Sequence, residues 1–205
     1  MSGYNHERFI NSFIERTQQN YKVITELNRE NQTEVYEVTQ LVNSLFGLLI
    51  IPYEKFKYGG TYQTKEEDLR NAAPIDYMRL NNKIEELKKD NRLVSTYSSD
   101  ERYPVGNFIG HLRNALAHSG EEGLQFLPYD DTGEITSIYF YDKLDEKDKP
   151  NKRQFCAHIK IDEIKEIVEW ISRMYIRHEN GTVNPESYEQ VKKQVEKYKT
   201  FLKQK

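Results

Sequence analysis

The sequence has little that would suit a secreted or membrane protein. Cys156 is its single cysteine, so no disulfide can form within the chain, and no basic leader followed by an apolar stretch opens it. The longest apolar run, Leu45 to Ile51, contains Gly47 and stops at Pro52, well short of the roughly 20 residues that span a bilayer. We therefore expect a cytoplasmic protein with no membrane partner.

An excess of charge of one sign is also missing. Lys and Arg number 30 against 33 Asp and Glu, which leaves a net charge of -3, so the molecule as a whole does not attract nucleic acid. Any contact with RNA must come from a local group of side chains. The chain has 205 residues, with 15 Tyr and 9 Phe among them, which is enough for one well-filled core. We expect a single domain over 1–205.

Apolar residues recur at helical spacing in the first half of the chain. The pattern predicts one helix from about Asn5 to Arg29, a second from about Thr33 to Pro52, and a third that follows Pro74. A loop with about one helical turn is expected from Tyr53 to Pro74, because two glycines and a charge cluster interrupt the pattern there. The stretch that ends at Tyr103 should then connect the third helix to a fourth.

From Leu124 the apolar spacing changes to every second residue, which is typical of strands. Three short strands are predicted, at Leu124 to Phe126, Ile135 to Tyr141 and Phe155 to Ile161. They would form an antiparallel meander at about 124–161, and two C-terminal helices would follow at about 162–203. The predicted fold class is mainly α, a helical bundle with a small antiparallel β-meander inserted after the fourth helix.

The fourth predicted helix, Pro104 to Ala117, carries the residues with the most chemistry. At about 100° per residue, the side chains of this helix and of the next residue, His118, fall into three arcs. An apolar arc contains Val105, Phe108, Ile109, Leu112, Ala115 and Leu116, a polar arc contains Asn107, His111, Asn114 and His118, and an arc of small residues contains Gly106, Gly110 and Ala117. Glycine inside a helix costs up to about 1 kcal/mol relative to alanine, so a close neighbour is expected to offset it. That neighbour is either a second copy of the helix across a two-fold axis or a tight neighbour in the same chain.

Arg113 and His118 lie about 140° apart on an ideal helix, so one copy does not easily bring both to one phosphate. If two copies of the helix cross along the small residues, two Arg113 and two His118 side chains would line one groove. This geometry predicts a homodimer. A guanidinium binds phosphate oxygens as a fork, and a histidine exchanges protons near neutral pH. These residue types suit RNA cleavage with the ribose 2′-OH as nucleophile. We therefore expect RNA as the substrate, and neither a metal ion nor a cofactor.

The string Arg113-Asn114-Ala115-Leu116-Ala117-His118 resembles the R-N-x-x-x-H signature of the HEPN superfamily (higher eukaryotes and prokaryotes nucleotide-binding). The segment from Leu41 to Lys55, and a β insert after the motif, resemble a branch of that superfamily known from bacterial plasmids and genomes. The resemblance implies a HEPN-like bundle and a metal-independent endoribonuclease in which Arg113 and His118 are catalytic and Asn114 supports them. It also implies a toxin or an antiviral, abortive-infection effector, with any antitoxin encoded separately. Some members keep the fold as non-catalytic modules that bind RNA, a nucleotide or a partner protein, and this is the alternative.

Each candidate residue also has a simpler structural interpretation. Arg113 could lie on the surface, and His118 could interact with the dipole at the helix C-terminus, although the motif favours catalysis. For His111 a structural hydrogen bond is favoured, and a contact with the substrate is the alternative. The lysines between 192 and 205 are favoured as a solvated helix face over a contact with an RNA backbone.

Overall fold

The computed structural model describes residues 14–20, 23, 37–50, 53, 62–117, 123–128, 135–144 and 153–179. Residues 14–20 are helical. The elements that follow are α1 (Glu37–Leu45), which continues into a π-helical turn (Phe46–Ile50), α2 (Tyr62–Ala72), α3 (Pro74–Lys89), β1 (Leu93–Ser95), a 3-10 turn (Ser98–Asp100), α4 (Pro104–Ala117), β2 (Leu124–Pro128), β3 (Ile135–Leu144), β4 (Arg153–Lys160) and α5 (Ile161–Glu179).

The described residues confirm the predicted fold class, a mainly helical protein with a small antiparallel sheet. α4 has the predicted bounds, and α3 and α5 begin within a residue of the predicted starts. Most of the predicted first helix and the whole predicted sixth helix lie outside the described residues. Within the described ranges, no helix is long and apolar enough to cross a membrane.

Two elements correct the sequence prediction. α2 lies inside the segment from Tyr53 to Pro74, for which a loop with about one helical turn was predicted. Its inward side chains include Leu69 and Glu66, which are 1% and 6% exposed, and a buried glutamate gives no apolar periodicity. β1 lies in the stretch before Tyr103, which we expected only to connect the third and fourth helices. Its three residues form a strand because they pair with β4, and this long-range contact has no local signal.

The sheet is antiparallel, and its strands are ordered β1, β4, β3, β2. The predicted meander therefore forms as β2, β3 and β4, and β1 adds a fourth strand beside β4. β1 precedes α4 in the chain and β2 follows it. The face of β3 that carries Ile138, Phe140 and Asp142 is buried, and β3 packs against α4.

α4 is a central helix of the fold. It contacts α2, α3, the π-helical turn, the 3-10 turn and β3. The six residues of its predicted apolar arc are each at most 2% exposed, which confirms that this arc faces the core. Burial of such side chains is the main stabilising contribution to a domain of this kind. The direction of the other two arcs of α4 is therefore fixed by the packing of the first.

Candidate active site

Arg113 and Asn114 lie in the last turn of α4, and both side chains are half-buried. The Nη1 atom of Arg113 donates a hydrogen bond to Oδ1 of Asn114 over 3.0 Å. The asparagine that follows the arginine in the motif therefore contacts the guanidinium directly. His118 lies outside the described residues, so its position relative to Arg113 stays a prediction.

Asn114 has a second partner, Asp142, which the sequence analysis did not identify. The Nδ2 atom of Asn114 donates to Oδ2 of Asp142 over 3.0 Å. Asp142 lies on the inner face of β3 and is 7% exposed. Strand alternation could have found it, because Ile138, Phe140 and Asp142 fall on the same face of a strand, and an aspartate at a buried position needs a partner.

His111 lies one turn before Asn114 and is held between two carboxylates. Its Nδ1 atom is 2.6 Å from Oδ2 of Asp142, and its Nε2 atom is 3.2 Å from Oδ1 of Asp100. A carboxylate only accepts hydrogen bonds, so the doubly protonated imidazolium satisfies both neighbours at once. Burial lowers the pKa of His111, but the hydrogen bonds to Asp100 and Asp142 raise it further, to above its ordinary value.

The surroundings of the imidazole favour the structural interpretation of His111. The residue is 7% exposed. The ring of Phe155 stacks on the imidazole with centroids 4.5 Å apart, and the ring of Tyr97 lies at the same distance on a tilted plane. The Asp100 carboxylate is itself held, because it accepts a hydrogen bond from Ser95. His111 is thus the centre of a buried polar network.

The glycines of the small-residue arc have close neighbours within the same chain. A Cβ atom at Gly110 would lie 2.7 Å from the hydroxyl oxygen of Tyr53, and one at Gly106 would lie 2.7 Å from Oε2 of Glu66. Of the two explanations that the sequence left open, these distances support the tight neighbour in the same chain. Ala117, at the end of the arc, is exposed.

Glu66 also explains how α4 begins. Its carboxylate accepts hydrogen bonds from the backbone nitrogens of Val105, over 3.1 Å, and of Gly106, over 2.6 Å, and from the hydroxyl of Tyr77, over 2.7 Å. The first N–H groups of a helix have no partner inside the helix, and a carboxylate there also interacts favourably with the helix dipole. A side chain of α2 thus caps the helix that carries the motif.

The described residues contain no group of three His, Cys, Asp or Glu side chains that could hold a metal ion. Comparisons with curated proteins and with solved structures found no significant match. A family model described as HEPN pEK499 p136 matches residues 1–182. That match includes α4, the sheet and α5, and the chain therefore belongs to this HEPN family.

Proposed function

We propose that this protein is a metal-independent endoribonuclease of the HEPN type, with Arg113, Asn114 and His118 at its active site. The observation that carries the proposal is the contact between Arg113 and Asn114 at the end of α4, in a chain that belongs to a HEPN family. HEPN domains are often ribonucleases. A guanidinium held by its neighbour is ready to bind a phosphate, because little side-chain freedom remains to be lost.

The reaction needs a phosphate ligand and a proton carrier. Arg113 would bind the scissile phosphate and stabilise the charge that develops on its oxygens. The ribose 2′-OH attacks the phosphorus and loses its proton, and the 5′-oxygen leaves with a proton. The products are a 2′,3′-cyclic phosphate and a 5′-hydroxyl. His118 is the residue we assign to proton transfer, because an imidazole titrates near neutral pH.

We further propose a homodimer that brings two copies of Arg113 and His118 around one cleft. Gly106 and Gly110 contact Glu66 and Tyr53 of their own chain, so we centre the proposed interface on the exposed Ala117. Ala117→Glu would place like charges opposite each other at a two-fold axis and should yield monomers with little activity. Sedimentation of the wild type as a fully active monomer at micromolar concentration would contradict the dimer.

The test of the ribonuclease is cleavage of mixed RNA in EDTA. We expect the wild type to cut, His118→Ala to be inactive, and Arg102→Lys, a change at an exposed arginine, to cut at the wild-type rate. Mass spectrometry should detect cyclic phosphate ends. If the wild type leaves a wide range of RNAs intact, the proposal is wrong, and the protein is better explained as a module that binds RNA, a nucleotide or a partner.

The biological role we propose is that of a toxin or an antiviral effector. Uncontrolled cleavage of cellular RNA would stop growth, so induced expression of the wild type should arrest a bacterial culture, and His118→Ala should not. Rescue by a separately encoded neighbouring gene would identify an antitoxin. Normal growth with the wild type expressed at the same level as the variant would argue against a toxin that acts without a trigger.

A further inference from the structure

We propose that Asp142 of β3 is a positioning residue for the guanidinium of Arg113 and acts through the side-chain amide of Asn114. The inference rests on the proposed function. It starts from an unbroken series of hydrogen bonds, in which Arg113 donates to Asn114 and Asn114 donates to Asp142, each over 3.0 Å. Asp142 would not contact the RNA.

The chemistry of the three groups allows one orientation of the amide. A guanidinium has only donors and a carboxylate has only acceptors. Asn114 must therefore turn its oxygen to Arg113 and its NH2 group to Asp142. The reverse orientation would place donor against donor at one end and acceptor against acceptor at the other. Because Asp142 is 7% exposed, water cannot easily replace the lost hydrogen bond, and the preference is strong.

Asp142 is itself held in place from the other side. The oxygen that accepts from Asn114, Oδ2, is also 2.6 Å from Nδ1 of His111. His111 in turn reaches Asp100 of the 3-10 turn. When His111 is protonated, the charges along the series alternate, as carboxylate, imidazolium, carboxylate and finally guanidinium. Asn114 lies between the carboxylate of Asp142 and the guanidinium of Arg113, so the position of β3 determines where the guanidinium is held.

This arrangement gives the β insert a role in catalysis. The sheet supplies a buried carboxylate from its central strand pair, and this carboxylate accepts a hydrogen bond from Asn114 in the last turn of α4. Without it, Asn114 is free to rotate and the guanidinium loses a fixed acceptor. An error of about 1 Å in such a group can reduce a rate about 100-fold. The charge of Arg113 would remain, so binding of the RNA should suffer less than the chemical step.

The test compares three variants of the full chain. Asp142→Leu removes the acceptor, and we expect kcat to fall about 100-fold with a smaller change in KM. Asp142→Asn keeps one acceptor oxygen for the Asn114 amide, so it should lose less and serves as the partial rescue. Phe140→Leu is the matched control, because it disturbs the same buried face of β3 two residues away without touching the amide, and it should retain nearly full kcat.

A second measurement does not depend on catalysis. We expect the side-chain NH2 signals of Asn114 and the side-chain NH signals of Arg113, observed by 1H–15N NMR, to shift in Asp142→Leu and stay in place in Phe140→Leu. Unchanged Arg113 signals in folded Asp142→Leu and Asp142→Asn would overturn the inference, whatever the activity. A wild-type kcat in Asp142→Leu and Asp142→Asn would also overturn the positioning role of Asp142, while the proposed ribonuclease function would still stand. If the wild type cuts no RNA, the proposed function fails, and the positioning role in catalysis fails with it.

Discussion

Replacement of Glu66 should destabilise the protein strongly. The residue is 6% exposed, and its carboxylate accepts hydrogen bonds from two backbone N–H groups of α4 and from Tyr77. Glu66→Ala leaves three donors in a space that water enters with difficulty. A buried donor without a partner costs about 1–3 kcal/mol, so the loss should be about 3 kcal/mol or more. That is a large part of the roughly 5–15 kcal/mol that holds a domain folded.

Urea unfolding followed by circular dichroism measures this loss. The midpoint for Glu66→Ala should fall well below that of the wild type with an unchanged m-value, whereas Glu67→Ala, at the exposed neighbouring position, should change it little. Glu66→Gln keeps one acceptor oxygen but turns an NH2 group towards a donor, so about 1–3 kcal/mol should be lost. Equal midpoints for Glu66→Ala and Glu67→Ala would refute the assignment of this carboxylate as the cap of α4.

Three further outcomes are expected at Gly110, Arg113 and His111. In Gly110→Ala the new Cβ would lie 2.7 Å from the hydroxyl oxygen of Tyr53, so the tyrosine must shift and should cancel the gain of up to about 1 kcal/mol that alanine brings to a helix. Thermal unfolding should therefore find Gly110→Ala/Tyr53→Phe more stable than Tyr53→Phe alone, whereas Gly110→Ala should not be more stable than the wild type. Arg113→Lys should lose about 100-fold in cleavage rate with its circular dichroism spectrum unchanged, because a point charge cannot replace a planar fork. Because the pKa of His111 is raised in the folded protein, the contribution of His111 to the free energy of unfolding should be complete below about pH 6.5 and should be lost as the pH rises through the raised value. Subtracting the pH profile of His111→Phe from that of the wild type should isolate this slope, and a difference that does not change with pH would contradict it.

The sequence predicts the helices whose apolar face is continuous and misses what depends on a distant partner. α4 was found with its bounds because its apolar arc repeats over four turns. α2 was missed because its inward face includes the buried Glu66, whose partners are Tyr77 and the start of α4. The motif likewise pointed to Arg113 and Asn114, but a string of six residues has no information on Asp142, which the fold brings to Asn114 from another element.

The polar network joins the 3-10 turn, α4 and β3. Asp100 lies before the helix and Asp142 after it, and His111 in the middle of the helix contacts both. Because each carboxylate only accepts and the imidazolium only donates, these groups satisfy one another only when the 3-10 turn, α4 and β3 are all in place. Loosening of the sheet would therefore release Asp142 and Asn114 together, and the guanidinium would lose its fixed position. If the proposed function holds, we expect the geometry of Arg113 to depend on the whole helix and sheet unit, and an intact motif without that unit to be inactive.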